Sequence, residues 1–297
     1  MIILITGSST GIGYATAETF ARNGHTVYAT MRDPQRCPQL QQLAEKNQLS
    51  IHILSLDVLD DRSVRNAIDH VLSKEGYIDV LINNAGIGYW GALEYLSLDL
   101  VKKDMDTNFF GTFRCIQAVL PSMRKRREGT IINVTSVAGK LYFNFFASYC
   151  ASKAATEALS ESLAQELQPF NIRVAVVEPG VIETPIFSKV ENDHPHADYP
   201  NMKRFLSFFS ASLEFHIQPS VVAEVINDIV SGKANAFRNP AGPDAPGLLG
   251  MRATTSDEDW INSVAITDDE WINGMEQMGL GVGKYMKAEG LPQFSFA

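Results

Sequence analysis

The sequence predicts a doubly wound α/β fold, a parallel sheet of about seven strands with helices on both faces. Three observations carry that expectation. Its apolar runs are continuous rather than alternating, as in strands covered on both sides. Amphipathic stretches separate the runs in regular alternation, the pattern of repeated strand–helix–strand units. A glycine-rich turn follows the first run, and in such sheets ligands sit beyond the carboxyl ends of the strands.

Taken in order, strands are expected at 2–5, 26–29, 51–56, 80–82, 130–134, 173–177 and 234–238. Helices are expected at 12–23, 39–46, 62–75, 100–126, 149–167 and 221–231. From Pro185 to Pro219 the alternation lapses into a segment carrying Phe187, Phe205, Phe208, Phe209 and Phe215. A long irregular insertion after a strand reads as a substrate lid. Asn239-Pro240-Ala241-Gly242-Pro243-Asp244-Ala245-Pro246 is rich in breakers and is expected to be neither helix nor central strand. In the tail, Ser256-Asp257-Glu258-Asp259-Trp260-Ile261-Asn262 is echoed eleven residues later by Thr267-Asp268-Asp269-Glu270-Trp271-Ile272-Asn273. Each unit opens with a hydroxyl residue followed by acids, and Thr267 with Glu270 makes a capping box, so both read as helix starts.

The chain has 297 residues, 45% hydrophobic and 20% charged, enough to build a buried core. Cys37, Cys115 and Cys150 are an odd number without metal-site clustering, which argues against a disulfide framework and for a reducing, cytoplasmic setting. No stretch approaches the roughly 18 apolar residues of a membrane span. A net charge of -9, of which -6 lies beyond residue 253, disfavours nucleic acid as a partner. Arg124-Lys125-Arg126-Arg127 reads as a solvated helix end favoured by the helix dipole. The six histidines show no metal-binding spacing beyond the alternation of His194 and His196, so no metal is expected.

Thr6-Gly7-Ser8-Ser9-Thr10-Gly11-Ile12-Gly13 ends the first strand and opens a helix, where glycines let a pyrophosphate approach backbone N–H groups. The same residues match G-x-S-x-G, the nucleophile elbow of hydrolases. That elbow borrows an oxyanion-hole N–H from a loop after an earlier strand, and at Ser9 no earlier loop exists. After the second strand, Met31 stands where a carboxylate would hold the adenosine ribose of NAD, and Arg32 follows. A guanidinium there favours the 2′-phosphate of NADP; the alternative leaves Asp33 on the ribose and NAD as the cofactor.

Asn83-Asn84-Ala85-Gly86 ends the fourth strand in amides able to tie strands together and small residues that admit a flat ligand. Ser136 ends the fifth. Tyr149 and Lys153 share one face of a helix, so the ammonium is expected to lower the phenol's pKa. A second Tyr-x-x-x-Lys, Tyr199 with Lys203, lies in the insertion beside Pro200 and is a poorer candidate.

Together TGSSTGIG at 6–13, NNAG at 83–86, Asn108, Ser136, Tyr149-x-x-x-Lys153 and Pro179-Gly180-Val181-Ile182-Glu183-Thr184 resemble the short-chain dehydrogenase/reductases, in order and at the usual spacings. The likeness runs to about residue 245, including the last strand and turn at 237–244. It is nearest to the hydroxysteroid- and retinol-dehydrogenase-like members, on Thr26-Val27-Tyr28-Ala29-Thr30, Arg32 and the extended C-terminus. The resemblance implies a Rossmann-type catalytic domain at 1–245 with a lid at about 185–219. Residues 246–297 would form an acidic extension packed on it.

It also implies roles. Tyr149 would give a proton to a carbonyl, Ser136 would hydrogen-bond the substrate oxygen, and Asn108 would keep a relay water. Lys153 would assist Tyr149 and hold the nicotinamide ribose. Cofactor contacts would come from Gly7, Ser9, Gly11, Ile12, Gly13, Arg32, Asp57, Val58, Asn84, Ala85 and Gly86, with Pro179, Gly180, Ile182 and Thr184 at the carboxamide. The activity expected is NADP(H)-dependent interconversion of a lipophilic ketone or aldehyde and its alcohol. A non-catalytic dinucleotide-sensing regulator is the alternative, against which the intact Ser136, Tyr149 and Lys153 argue. Apolar, largely aromatic pocket walls are expected from Tyr89, Trp90, Leu141, Tyr142, Phe143, Phe145, Phe146, Phe187, Phe205, Phe208 and Phe209. A homodimer or homotetramer is expected through 100–126 and 149–167, where Phe109, Phe110, Phe113, Ile116 and Val119 exceed what one sheet face needs.

Overall fold

The computed structural model describes residues 1–186 and 198–292. Seven strands, β1 (Ile2–Thr6), β2 (Thr26–Met31), β3 (Ile51–Ser55), β4 (Val80–Asn83), β5 (Gly129–Val134), β6 (Ile172–Pro179) and β7 (Arg238–Ala241), form one parallel sheet. Their order is β3-β2-β1-β4-β5-β6-β7, so the winding reverses between β1 and β4 and opens a crevice at their carboxyl ends. The connecting helices are α1 (Gly11–Arg22), α2 (Pro38–Asn47), α3 (Asp61–Glu75), α4 (Leu98–Met105), α5 (Gly111–Arg126), α6 (Ala147–Leu167), α7 (Met202–Leu213) and α8 (Pro219–Val230). Beyond β7 come α9 (Ala245–Thr254), α10 (Asp257–Asn262), α11 (Asp268–Gln277) and α12 (Gly283–Lys287).

Side chains of β1 alternate between two core layers, which is why its apolarity is continuous. Ile3 and Ile5 pack with Phe20 of α1 and Ile226 of α8. Leu4 joins the opposite layer with Ile68 of α3 and Val119 of α5.

Four expectations need correction. The last strand is Arg238–Ala241 rather than 234–238, and α9 begins inside the supposed breaker stretch. Both prolines are tolerated for local reasons: Pro240 sits on an edge strand, and Pro246 occupies the first turn of α9, whose N–H groups need no helical partner. The helix expected at 100–126 is broken by a π-helical turn, Asp106–Phe110, between α4 and α5. The insertion is not irregular throughout, because α7 spans Met202–Leu213 with Phe205, Phe208 and Phe209 at helical spacing. Phe187, His194 and His196 lie outside the described residues.

Ser256 and Thr267 do cap α10 and α11, and Thr267 with Glu270 forms the capping box in full. These acidic helices contact α7 and the loop before α6. Arg204 pairs with Asp268 at 2.6 Å, and Trp260 donates its indole N–H to the Tyr142 carbonyl at 3.3 Å, while Lys284 of α12 pairs with Glu214 at 2.6 Å. No described helix is long and apolar enough to cross a membrane.

Candidate active site

One cleft opens at the carboxyl ends of β1, β4, β5 and β6. The residues Gly7, Ser9, Gly11, Ile12, Arg32, Asp57, Val58, Asn84, Ala85, Gly86, Ser136, Tyr149, Lys153, Pro179, Gly180, Ile182 and Thr184 all line it. Gly13 and Asn108 do not, and each acts from behind.

The β1–α1 turn needs glycine at two places. Gly7 has φ +70°, a region other residues rarely adopt. A Cβ on Gly13 would lie 2.4 Å from the Gly7 carbonyl oxygen and 2.5 Å from Asn84 Nδ2, so the turn closes only without one. The Asn84 amide donates to the carbonyls of Thr6 and Gly7 at 3.0 and 2.9 Å. Asn83 donates to Asn133 on β5 at 2.8 Å. The amides therefore tie β4 to both neighbours, leaving small residues facing the cleft. A tight glycine turn, the N-terminus of α1 and a slot walled by Ala85 and Gly86 fit a dinucleotide.

Asn108 sits in the π-helical turn, which swings its amide inward. Its Oδ1 accepts the Ile87 N–H at 2.9 Å, and its Nδ2 donates to the Ile87 carbonyl and to Ser152 Oγ at 2.9 and 2.8 Å. Both amide protons are thus used in fastening the loop after β4 to α6.

Tyr149 is buried and stacks on Phe146, with ring centroids 4.5 Å apart and planes 20° apart. Lys153 Nζ lies 5.6 Å from the Tyr149 ring centroid and donates to the Val134 carbonyl at 3.0 Å. The expected fall in the phenol's pKa does not appear. Burial raises it, and the pull downward comes from a hydrogen bond with Ser136. Lys153 is itself pushed down to about 8 by burial, against the attraction of Asp104. Ser136 Oγ accepts the Ala138 N–H at 3.1 Å, which leaves its own proton for donation into the cleft.

The expected apolar walls divide. Phe143, Phe146, Phe208 and Phe209 face the cleft. Phe205 and Phe145 form the layer behind, 5.9 Å apart with edge-to-face geometry, while Leu141 is buried and Tyr142 is exposed. Of the second Tyr-x-x-x-Lys pair, Tyr199 donates to Glu94 and Lys203 to the Ala288 carbonyl, both away from the cleft.

Sequence reasoning missed Leu248, on α9 just past the breaker-rich stretch, and Asp104, a fully buried acid on α4. Asp104 follows Val101 by three residues and precedes Asn108 by four, a spacing that puts it on the inward face.

Residues 1–195 match the family model described as short chain dehydrogenase. The chain is 39% identical over 246 residues to a 3-ketodihydrosphingosine reductase of Bacteroides thetaiotaomicron, covering 82% of this chain and 88% of that protein. It is 38% identical over 265 residues to retinol dehydrogenase 8 of Bos taurus, covering 84% of each. A short-chain dehydrogenase structure from Streptomyces avermitilis superposes with TM-score 0.74 at 31% identity, covering 94% of this chain and 97% of that one. A single-site variant of actinorhodin polyketide ketoreductase with NADPH superposes with TM-score 0.71 at 26% identity, covering 80% and 94%.

Proposed function

The chain belongs to the short-chain dehydrogenase family and is an NAD(P)-dependent dehydrogenase or reductase, and from that premise we propose that it interconverts a lipophilic ketone or aldehyde and its alcohol with NADP(H). One observation carries the reading: Ser136, Tyr149 and Lys153 meet in a cleft whose outer wall is Phe143, Phe146, Phe208 and Phe209.

Gly7, Ser9, Gly11 and Ile12 would hold the pyrophosphate, Asp57 and Val58 the adenine, and Pro179, Gly180, Ile182 and Thr184 the carboxamide. NADPH supplies the hydride when bound. Ser136 donates to the substrate oxygen, where negative charge grows, and Tyr149 delivers the proton. The raised phenol stays protonated through the neutral range, which suits that donation to a carbonyl. Lys153 places a cation beside the phenolate left behind. Asn108 keeps the loop after β4 in register with α6.

NADP is favoured over NAD by what Asp33 is doing. Its carboxylate accepts the Gln35 N–H at 3.1 Å and pairs with Arg36 at 3.2 Å, so it serves the local turn. Met31 is buried, and Arg32 is exposed at the cleft. Replacing Arg32 with Ala is expected to weaken NADP(H) roughly ten- to a hundredfold, the loss of one charge-assisted contact, and to leave NAD(H) binding unchanged. Titration of the wild-type protein showing a preference for NAD would overturn this assignment.

Apolar walls favour an apolar substrate. Two relatives, named for 3-ketodihydrosphingosine and for retinol, support a lipid ketone or alcohol. A spectrophotometric screen with both cofactors is expected to give higher kcat/KM for long-chain or multi-ring ketones than for sugars. The reverse ranking, or cofactor binding without any turnover, counts against the proposal. Pairing of two copies belongs to the same reading, because Phe110 and Phe113 are exposed where α4 runs into α5. Light scattering reads that mass directly.

A further inference from the structure

Asp104 has no place in the chemistry just described, yet it lies fully buried against the helix that carries it. Its Oδ2 accepts the Ser148 hydroxyl at 2.6 Å, one residue before Tyr149. Its Oδ1 is sealed from water and makes no hydrogen bond of ordinary geometry among the described residues, the carboxyl's only further support being the Tyr89 backbone N–H. Burying a carboxylate this way costs several kcal/mol unless a cation compensates it. Lys153 is equally buried and forms no ion pair among the described residues, its one hydrogen bond going to a neutral carbonyl. Two uncompensated opposite charges on facing helices, α4 and α6, are each other's natural counter-ion.

We propose that Asp104 is a positioning residue of this centre, a buried carboxylate that keeps Lys153 in its ammonium form and anchors the first turn of α6 through Ser148. The inference rests on the roles given above to Tyr149 and Lys153. Burial drives the two groups toward neutrality, Asp104 up to about 6 and Lys153 down to about 8, and each holds the other toward its charged form. Between those values both are ionised. From α6 the carboxylate accepts from Ser148 and acts through space on Tyr149 and Lys153, and from the loop after β4 the Tyr89 backbone N–H supports it. Cys150, the remaining titratable neighbour of Tyr149, has its thiol pushed up to about 12 and stays neutral.

Asp104→Asn keeps an acceptor for Ser148 and removes the anion, so Lys153 gives up its proton at lower pH. The alkaline limb of the kcat/KM profile is expected to move down by about one pH unit, with the rate at pH 6.5 within about threefold of wild type. A uniform loss of rate with an unmoved limb would show a merely structural part and overturn the proposal. The second measurement needs neither cofactor nor turnover. Carboxyl carbon NMR of the protein with labelled aspartate should show a resonance titrating near 6 that is missing in Asp104→Asn. In Ser148→Ala it should move higher, since the lost hydrogen bond favoured the carboxylate. A spectrum with every aspartate titrating in the ordinary range overturns the proposal whatever the activity. Failure of the Tyr149 chemistry would instead leave this titration in place, so the two readings fail separately.

Discussion

Tyr149→Phe is expected to lower kcat by about 10²- to 10⁴-fold, the usual contribution of a positioned general acid. The substitution removes one oxygen and leaves the ring stacked on Phe146, so the aromatic packing survives. Lys153 keeps its bond to the Val134 carbonyl, and no cofactor-facing backbone moves. Cofactor affinity and melting temperature should therefore stay near wild type while turnover collapses. Fluorescence titration with NADPH separates the two effects. Turnover within a few-fold of wild type would remove Tyr149 from the chemistry.

Arg238→Met is expected to destabilise the fold by about 3–5 kcal/mol, because it strands buried carboxylates. The Arg238 guanidinium contacts Glu157 on α6, reaches Glu161 at 2.8 Å and lies 3.5 Å from Glu178 on β6. The side chains of Glu157 and Glu178 are each only 2% exposed. Burial already raises the Glu178 carboxyl above its ordinary value. Without the guanidinium, Glu178 binds its proton still more tightly in the fold than in the unfolded chain. Lowering the pH through that raised value then returns stability, so the deficit should be larger at pH 8 than at pH 5. Denaturant unfolding at the two pH values checks this. A deficit below about 1 kcal/mol, or one indifferent to pH, would show that the network is not what joins β7 to α6. The loss should reach the cleft as well, since Thr135, next to Ser136, donates to Glu157 at 2.5 Å.

How much of this was legible in the chain depends on the range of the interaction involved. Continuous apolar runs announced strands covered on both faces, and the glycines at 7 and 13 announced a turn that closes on its own backbone. Tyr149 and Lys153 are one helical turn apart, so their shared face needed no fold to be seen. Ser256 and Thr267 bond their own first turns, and both caps formed as the sequence indicated. Each of these signals lies within about ten residues.

What the tertiary structure decided depends on segments far apart in sequence. Pro240 can sit in a strand only because β7 is the sheet's edge, a fact set by the order of seven strands. Phe143, Phe146, Phe208 and Phe209 face the cleft while Phe205 packs behind them, a division made where α7 meets the loop before α6. The π-helical turn aims Asn108 at Ile87, which no local periodicity marks. Charge states are the least local of all. Spacing alone suggested that Lys153 lowers the Tyr149 phenol, whereas burial raises it. Asp104 becomes a member of the same centre through Ser148, which follows it by 44 residues. The sequence states which groups a chain carries, but the free energy of a charge depends on the water removed from around it, and only the assembled layers remove that water.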